Sequence, residues 1–312
     1  MDAVLNVGLP VFAIILAGYL SGRAGILGSD STRALNAFVY YFALPPVLFL
    51  AMIRVPLDQV FNGPFIAVYT GGVLFTFVLS AIASLTLFPH SLAALTVAGK
   101  TAIFSNTGYM GIPLFLAAFG DAGLLPAVIA TVYNGALVVG IAVVMIELDQ
   151  RRDSGLLVIL RDILVALLTN PLVMAAVAGI LWALTGLTLP RPLVNLGDLL
   201  GAAAGPCALF AMGLFLVGRT ASADMQEVGW LVALKLVVQP AVTWWLAFKV
   251  MNLEPSWAMS AVILAALPTG ALTFVVAERY NVFVQGATAA TLISTVLSVP
   301  TVSFLLAYFG LG

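Results

Sequence analysis

Ser105-Asn106-Thr107-Gly108-Tyr109-Met110-Gly111-Ile112-Pro113 lies in the middle of an apolar stretch running from Ser91 to Gly120. As one straight helix that stretch would measure about 45 Å at 1.5 Å per residue, against a bilayer hydrocarbon core of about 30 Å. The motif is where such a helix would break. Gly108 and Gly111 permit unwinding, and Pro113 lacks an amide donor and crowds the carbonyl of Tyr109. Asn106 and Thr107 offer polar side chains to the backbone groups left open. A second break is read at Ala265-Ala266-Leu267-Pro268-Thr269-Gly270. Unpaired backbone at membrane depth is tolerated only where it is buried in protein or lines a wet cavity.

The rest of the chain demands a membrane. Of 312 residues 62% are hydrophobic and only 8% are charged, where a soluble domain carries roughly 25% charged residues. So few charges cannot cover a water-facing surface. Disorder needs the opposite composition. The formal net charge of -1 leaves no basic footprint for nucleic acid. Cys207 is the single cysteine, so no intrachain disulfide forms and a cysteine metal site is not expected.

Apolar stretches of spanning length recur at roughly 3–22, 34–53, 64–87, 91–120, 124–147, 157–186, 194–217, 228–250, 256–280 and 284–309. Continuous apolar runs disfavour a β-barrel, whose strands alternate. Asp2 stands where a basic n-region would be, so the first span reads as a membrane helix and not a cleaved signal. Placing the N-terminus outside puts Arg23, Arg33, Arg151, Arg152, Arg161, Arg219 and Arg279 in inner loops and only Arg54, Arg191 and Lys249 in outer ones. Both termini are therefore expected outside.

The chain also resembles itself at a shift near 160 residues. Pro10, Ala17, Gly18, Leu20 and Gly25 recur as Pro171, Ala178, Gly179, Leu181 and Gly186, while Pro46, Ala51 and Met52 recur as Pro206, Ala211 and Met212. The charged Glu147–Asp162 linker separates two halves, 1–150 and 151–312, of five spans each. An odd number of spans obliges the second half to enter the membrane inverted, as in many secondary transporters. The fold expected is an all-α polytopic membrane protein with ten transmembrane helices in two inverted five-helix repeats and crossover broken helices four and nine. At a shift of 160, Gly108 falls on Pro268, so the two breaks should cross near the midplane. Half-helices beginning near Tyr109 and Thr269 would aim their partly positive amino ends at the crossing and hold an anion there.

Ionisable groups within spans are costly and informative. Lys100 precedes Asn106 by six residues, and Lys235 shares a helix face with Gln239. Both are candidate coupling or counterion residues; Lys235 would stand in for a bound cation, and Lys100 could instead snorkel to the surface. Asn134 and Ser294 are repeat equivalents on the helices that follow the breaks. The candidate substrate site comprises Asn106, Thr107, Gly108, Tyr109, Pro268, Thr269, Gly270, Thr273 and Asn134. His90, the single histidine, is poorly placed for an obligatory proton relay.

Asn106-x-Gly108-Tyr109-Met110-Gly111-Ile112-Pro113-Leu114 resembles the fourth-span signature of the auxin efflux carrier family, which includes bacterial malonate-type permeases. Pro268-Thr269-Gly270 followed by Phe274-Val275-Val276-Ala277-Glu278-Arg279-Tyr280 is similar to its ninth-span signature, and Asn36-Ala37-Phe38-Val39 through Leu44-Pro45-Pro46-Val47-Leu48-Phe49 to its second span. The resemblance implies a scaffold from spans 1, 2, 6 and 7, a mobile bundle from spans 3–5 and 8–10, and elevator-type alternating access. It also implies small organic anions, auxin-like or malonate-like carboxylates, as cargo, H+ or Na+ as coupling ions, and a homodimer formed through the scaffold in a bacterial inner membrane. Where the family often has Asn after the ninth-span Pro, this chain has Ala271-Leu272-Thr273. Carboxylate recognition would then lean on Asn106, Thr107 and Thr269.

No cofactor or metal site is expected, and neither is catalysis: an intramembrane hydrolase needs a nucleophile with its base, paired aspartates or a metal motif. The other readings are a carrier of another solute class, such as bile-acid-like or amphipathic anions, and a sensor or channel on the same fold.

Overall fold

The computed structural model describes residues 9–54, 62–150, 161, 165, 168–218 and 224–311. Asp2, Arg219 and most of the Glu147–Asp162 linker, with Arg151 and Arg152, lie outside the described residues. Those described are helical throughout, with one isolated antiparallel β-bridge. In chain order the α-helices are α1 (Leu9–Arg23), α2 (Ser29–Phe38), α3 (Leu44–Arg54), α4 (Gly63–Thr86), α5 (Leu92–Ile103), α6 (Ile112–Phe119), α7 (Leu124–Tyr133), α8 (Val139–Gln150), α9 (Pro171–Leu184), α10 (Arg191–Phe215), α11 (Met225–Ala233), α12 (Gln239–Trp245), α13 (Pro255–Ala266), α14 (Leu272–Tyr280) and α15 (Val284–Tyr308).

Wider π-turns at Val39–Ala43, Asn134–Val138 and Leu234–Val238 join α2 to α3, α7 to α8 and α11 to α12 without a break. Among the described residues there are six helical runs long and apolar enough to cross a membrane, and five shorter apolar helices, among them α5 and α13. Local signals set several starts: Asn62 caps α4 by accepting from Phe65 N at 2.9 Å, and Asp224 caps α11 by accepting from Gln226 N at 2.9 Å.

Leu74, Phe75, Val78, Ile82 and Leu85 form an exposed apolar face on α4. In water that face would drive aggregation; in a bilayer it meets its proper solvent. Several hydroxyls inside helices are satisfied locally: Thr76, Thr101, Thr131 and Thr291 donate to the carbonyl four residues earlier. The chain is an integral membrane protein of the polytopic helical class.

Two glycines that the sequence reading matched both sit at close helix contacts. A Cβ on Gly18 of α1 would collide with the Phe210 carbonyl and press on Gly213 of α10. A Cβ on Gly179 of α9 would come within 2.7 Å of the Phe49 carbonyl and of Met52 Cβ on α3. Gly18 and Gly179, Phe49 and Phe210, and Met52 and Gly213 are each 161 residues apart, the offset read from the sequence for the first spans. Small residues at these points let backbones touch, which is how helices associate where lipid removes the hydrophobic drive.

At one end of the molecule the segments around His90, Asp149, Glu227 and Tyr280 are tied together. His90 Nε2 pairs with Glu227 Oε1 at 2.7 Å, Asp149 accepts from Ala93 N at 3.0 Å, and Tyr280 donates to Glu147 at 2.9 Å while its carbonyl accepts from Gln150 at 3.2 Å. All these segments flank spans that the sequence reading ends on the same side.

Candidate functional site: the helix crossing

The chain unwinds where the sequence reading put the breaks. α5 ends at Ile103 and helical structure resumes with a π-turn from Thr107; α13 ends at Ala266 and α14 starts at Leu272. The extended residues between pair with one another. Asn106 N donates to the Pro268 carbonyl and Gly270 N to the Phe104 carbonyl, each at 2.9 Å, which makes Ser105 and Thr269 an antiparallel bridge. This pairing answers the difficulty of bare backbone inside a membrane: each broken helix supplies the hydrogen bonds the other lacks.

The register corrects the sequence expectation. Ser105 opposes Thr269, Asn106 faces Pro268 and Phe104 faces Gly270, so the residues that pair across the crossing lie before Gly108 and not at it. Backbone pairing sets this register, whereas the sequence shift is set by the packed helices outside it. The amino-terminal starts also differ slightly from the expected Tyr109 and Thr269, lying at Thr107 and Leu272.

Asn134 and Ser294 both reach the crossing. Asn134 Nδ2 lies 3.3 Å from the Ser105 carbonyl, 3.3 Å from Thr107 Oγ1 and 3.2 Å from the Tyr69 hydroxyl, and Ser294 Oγ accepts from Thr269 N at 3.1 Å. Their targets, Ser105 and Thr269, are the bridge partners. The Thr269 hydroxyl donates to the Thr101 carbonyl at 2.8 Å. Gly270 has no room for a side chain, since a Cβ there would come within 2.7 Å of the Phe104 ring.

The carboxyl ends of α5 and α13 are held by a pair from the π-turn that joins α11 to α12. Lys235, fully buried, donates to Gln239 Oε1 at 2.7 Å and to the Ala265 carbonyl, and Gln239 Nε2 donates to the Ile103 carbonyl at 3.2 Å. Each helix carboxyl end carries about half a negative charge, so two such ends offset about one ammonium charge. Lys100, in the last turn of α5, is buried as well. Its Nζ donates to the Leu272 carbonyl at 2.9 Å and lies 4.6 Å from the Phe104 ring centre. It does not snorkel to the surface.

A cavity of about 480 Å³ opens on one side of the crossing, bordered at its inner end by Asn106, Tyr109, Ala271, Leu272, Met212 and Thr291. Arg33 and Glu278 also border it. The same crossing also borders a smaller space of about 30 Å³, lined among others by Thr107, Gly108, Asn134 and Asn170, room for one or two waters. Asn106 and Tyr109 face both. Thr107, Gly108 and Asn134 face the small space only, whereas Pro268, Thr269, Gly270 and Thr273 border neither and build the crossing itself. Sequence reasoning did not select Ala271, Leu272, Met212 or Thr291 as lining residues. Apolar or lone hydroxyl side chains carry no signal of their own, and Met212 meets Asn106 only through the fold, with Asn106 Nδ2 3.2 Å from its sulfur.

A family model described as "Membrane transport protein" matches residues 3–306. The chain belongs to this family, that of the auxin efflux carriers. A protein of Rhizobium meliloti (strain 1021) named "Putative malonate transporter" is 33% identical over 307 residues, covering 98% of this chain and 96% of that protein. The uncharacterized transporter YfdV of Escherichia coli (strain K12) is 26% identical, with 92% of this chain and 91% of that protein covered. The lysosomal cholesterol signaling protein of Mus musculus is 26% identical across 94% of this chain, which spans 36% of that longer protein. The family is one of membrane transporters.

Proposed function

We propose that the chain is a secondary transporter of small carboxylates of the malonate type. The observation that carries this reading is the bridged crossing, at which the amino-terminal turns of two half-helices border one cavity. Backbone amides and helix dipoles there favour an anion, and Asn106 and Tyr109 add side-chain donors at the same place. The naming of the Rhizobium relative supports malonate as the first substrate to test.

The architecture in this reading is ten spanning helices in two inverted repeats, 1–150 and 151–312. The paired contacts of Gly18 and Gly179 and the reciprocal bridge support it. Spans 1, 2, 6 and 7 form the scaffold, and the crossover bundle moves against it as an elevator. With both termini outside a bacterial inner membrane, the 480 Å³ cavity opens toward the cytoplasm and the 30 Å³ space marks the closed outer side. Its coupling ion, H+ or Na+, and a dimer through the scaffold belong to the same reading.

Proteoliposome counterflow tests it. Liposomes loaded with unlabelled malonate should accumulate labelled malonate transiently and saturably, with indole-acetate as the monocarboxylate comparison. Ohmic flux without counterflow, or no flux of any carboxylate, would refute the carrier.

A further inference from the structure

A groove of about 440 Å³ lies between α1 and α15, apart from the crossing. α1 borders it with Phe12, Ile15, Leu16 and Tyr19, an i, i+3, i+4, i+7 stripe, and α15 with a stripe of the same spacing from Leu292 to Val299. From Phe12 to Tyr19 it runs about 10 Å along α1, roughly a third of the hydrocarbon core. Leu16 and Val296 are exposed, so the groove opens toward the surroundings of the helices, which in a membrane are lipid. Thr295, also in the lining, donates its hydroxyl to the Thr291 carbonyl at 2.7 Å. The walls therefore offer water little besides the Tyr19 phenol. An apolar cavity stays dry, and left empty it forfeits dispersion contacts along both helices. Within a bilayer the apolar matter at hand is an acyl chain.

The residue at the mouth selects the headgroup. Arg23 follows Tyr19 by four residues, about 6 Å further along the same face of α1. It is exposed, and among the described residues no acid pairs with it. The sequence reading puts Arg23 in an inner loop, and the inner leaflet is the one that carries anionic lipids.

Under the sequence repeat Phe12 corresponds to Val173, 161 residues on, and Thr295 to Gly135, 160 residues back. Val173 and Gly135 border the space of only 30 Å³, and a Cβ on Gly135 would lie 3.6 Å from Asn170 Nδ2. The corner that stands open beside α1 is nearly shut at its counterpart.

We infer that the groove seats one acyl chain of an anionic phospholipid, with the lipid phosphate on Arg23, and that this acyl chain wedges α15 away from α1. The seat does not depend on the function proposed above. The wedge rests on it: with span 1 in the scaffold and span 10 in the moving bundle, exchanging the two conformations closes the groove and must first expel the acyl chain. A lipid that binds one conformation only favours that conformation.

Native mass spectrometry of the full chain tests the seat, with the protein released from micelles holding equal phosphatidylglycerol and phosphatidylcholine of the same acyl chains. At rising collision energy wild type should retain phosphatidylglycerol about fivefold over phosphatidylcholine, the ~1 kcal/mol expected of one arginine at a membrane surface. Arg23→Gln should lose the preference and still retain lipid. Val296→Trp, which fills the groove, should retain at least fivefold less of either lipid. Leu297→Trp, exposed beside it but outside the groove, should match wild type. Equal retention of the two lipids by wild type, a preference that survives Arg23→Gln, or a fatty acid held in place of both overturns the anionic phospholipid. Unchanged retention by Val296→Trp overturns the groove as its seat; Leu16→Trp on the facing helix decides the same point if that variant does not fold. Malonate counterflow reads the wedge. A fixed ring at 296 should slow it at least tenfold while malonate still raises the melting temperature as in wild type, and a wild-type rate overturns the wedge. If no carboxylate counterflows in any variant, the carrier reading falls and the wedge with it, whereas lipid retention still decides the seat.

Discussion

Replacing Gln239 with Leu removes both polar ends of one side chain while nearly preserving its volume, and so isolates the clamp on the two helix carboxyl ends. In the wild type Gln239 accepts from Lys235 at 2.7 Å and donates to the Ile103 carbonyl at 3.2 Å, with the amide fully buried. Loss of a hydrogen bond to a charged group costs about 1.5–3 kcal/mol, and loss of a neutral one about 0.5–1.5 kcal/mol. Bonds between membrane helices fall toward about 0.6 kcal/mol, because the chain unfolded in lipid finds other partners. The charged bond therefore dominates, and Gln239→Leu should destabilise by about 2–3 kcal/mol. Reversible unfolding in mixed micelles with rising dodecyl sulfate reads this directly. The double variant Lys235→Met/Gln239→Leu provides the sharper measurement, since removing both partners leaves no buried ammonium short of an acceptor. It should be no less stable than Gln239→Leu alone. A Gln239→Leu protein within 0.5 kcal/mol of wild type, or strictly additive losses in the double variant, would refute the clamp.

Asn106→Ala should keep the fold and lower malonate affinity at least tenfold, read as a reduced ligand-induced rise in melting temperature; an unchanged rise would remove the amide from the site. Gly213→Val should cost about 1–3 kcal/mol or more, because a Cβ at Gly213 would overlap the Ile15 carbonyl and approach Tyr19 N within 2.7 Å. Gly229→Val, at a helical glycine with nothing within 4 Å of its Cβ position, is the control and should leave the unfolding midpoint within about 0.5 kcal/mol of wild type. Asn134→Leu should release Ser105 and Thr107 and lower stability by about 1–3 kcal/mol; a wild-type midpoint would show that the backbone bridge holds unaided.

Composition and order along the chain were enough for the membrane class and the positions of the two breaks. Sparse charge leaves no other solvent that the surface could face, and glycine with proline in an overlong apolar run leaves no unbroken helix to form. Gly18 and Gly179, which match at a shift of 161, both sit at close helix contacts, because close backbone approach admits only small residues. Tertiary structure alone decided which groups meet. Backbone carbonyls have no sequence signature, so neither the register of Ser105 on Thr269 nor the seating of Lys235 on Ala265 and Lys100 on Leu272 could be read from residue types. A lysine placed in a span announces its cost in the sequence; the acceptor that meets that cost lies 30 residues away for Lys235 and 172 for Lys100, and only the folded chain brings them together.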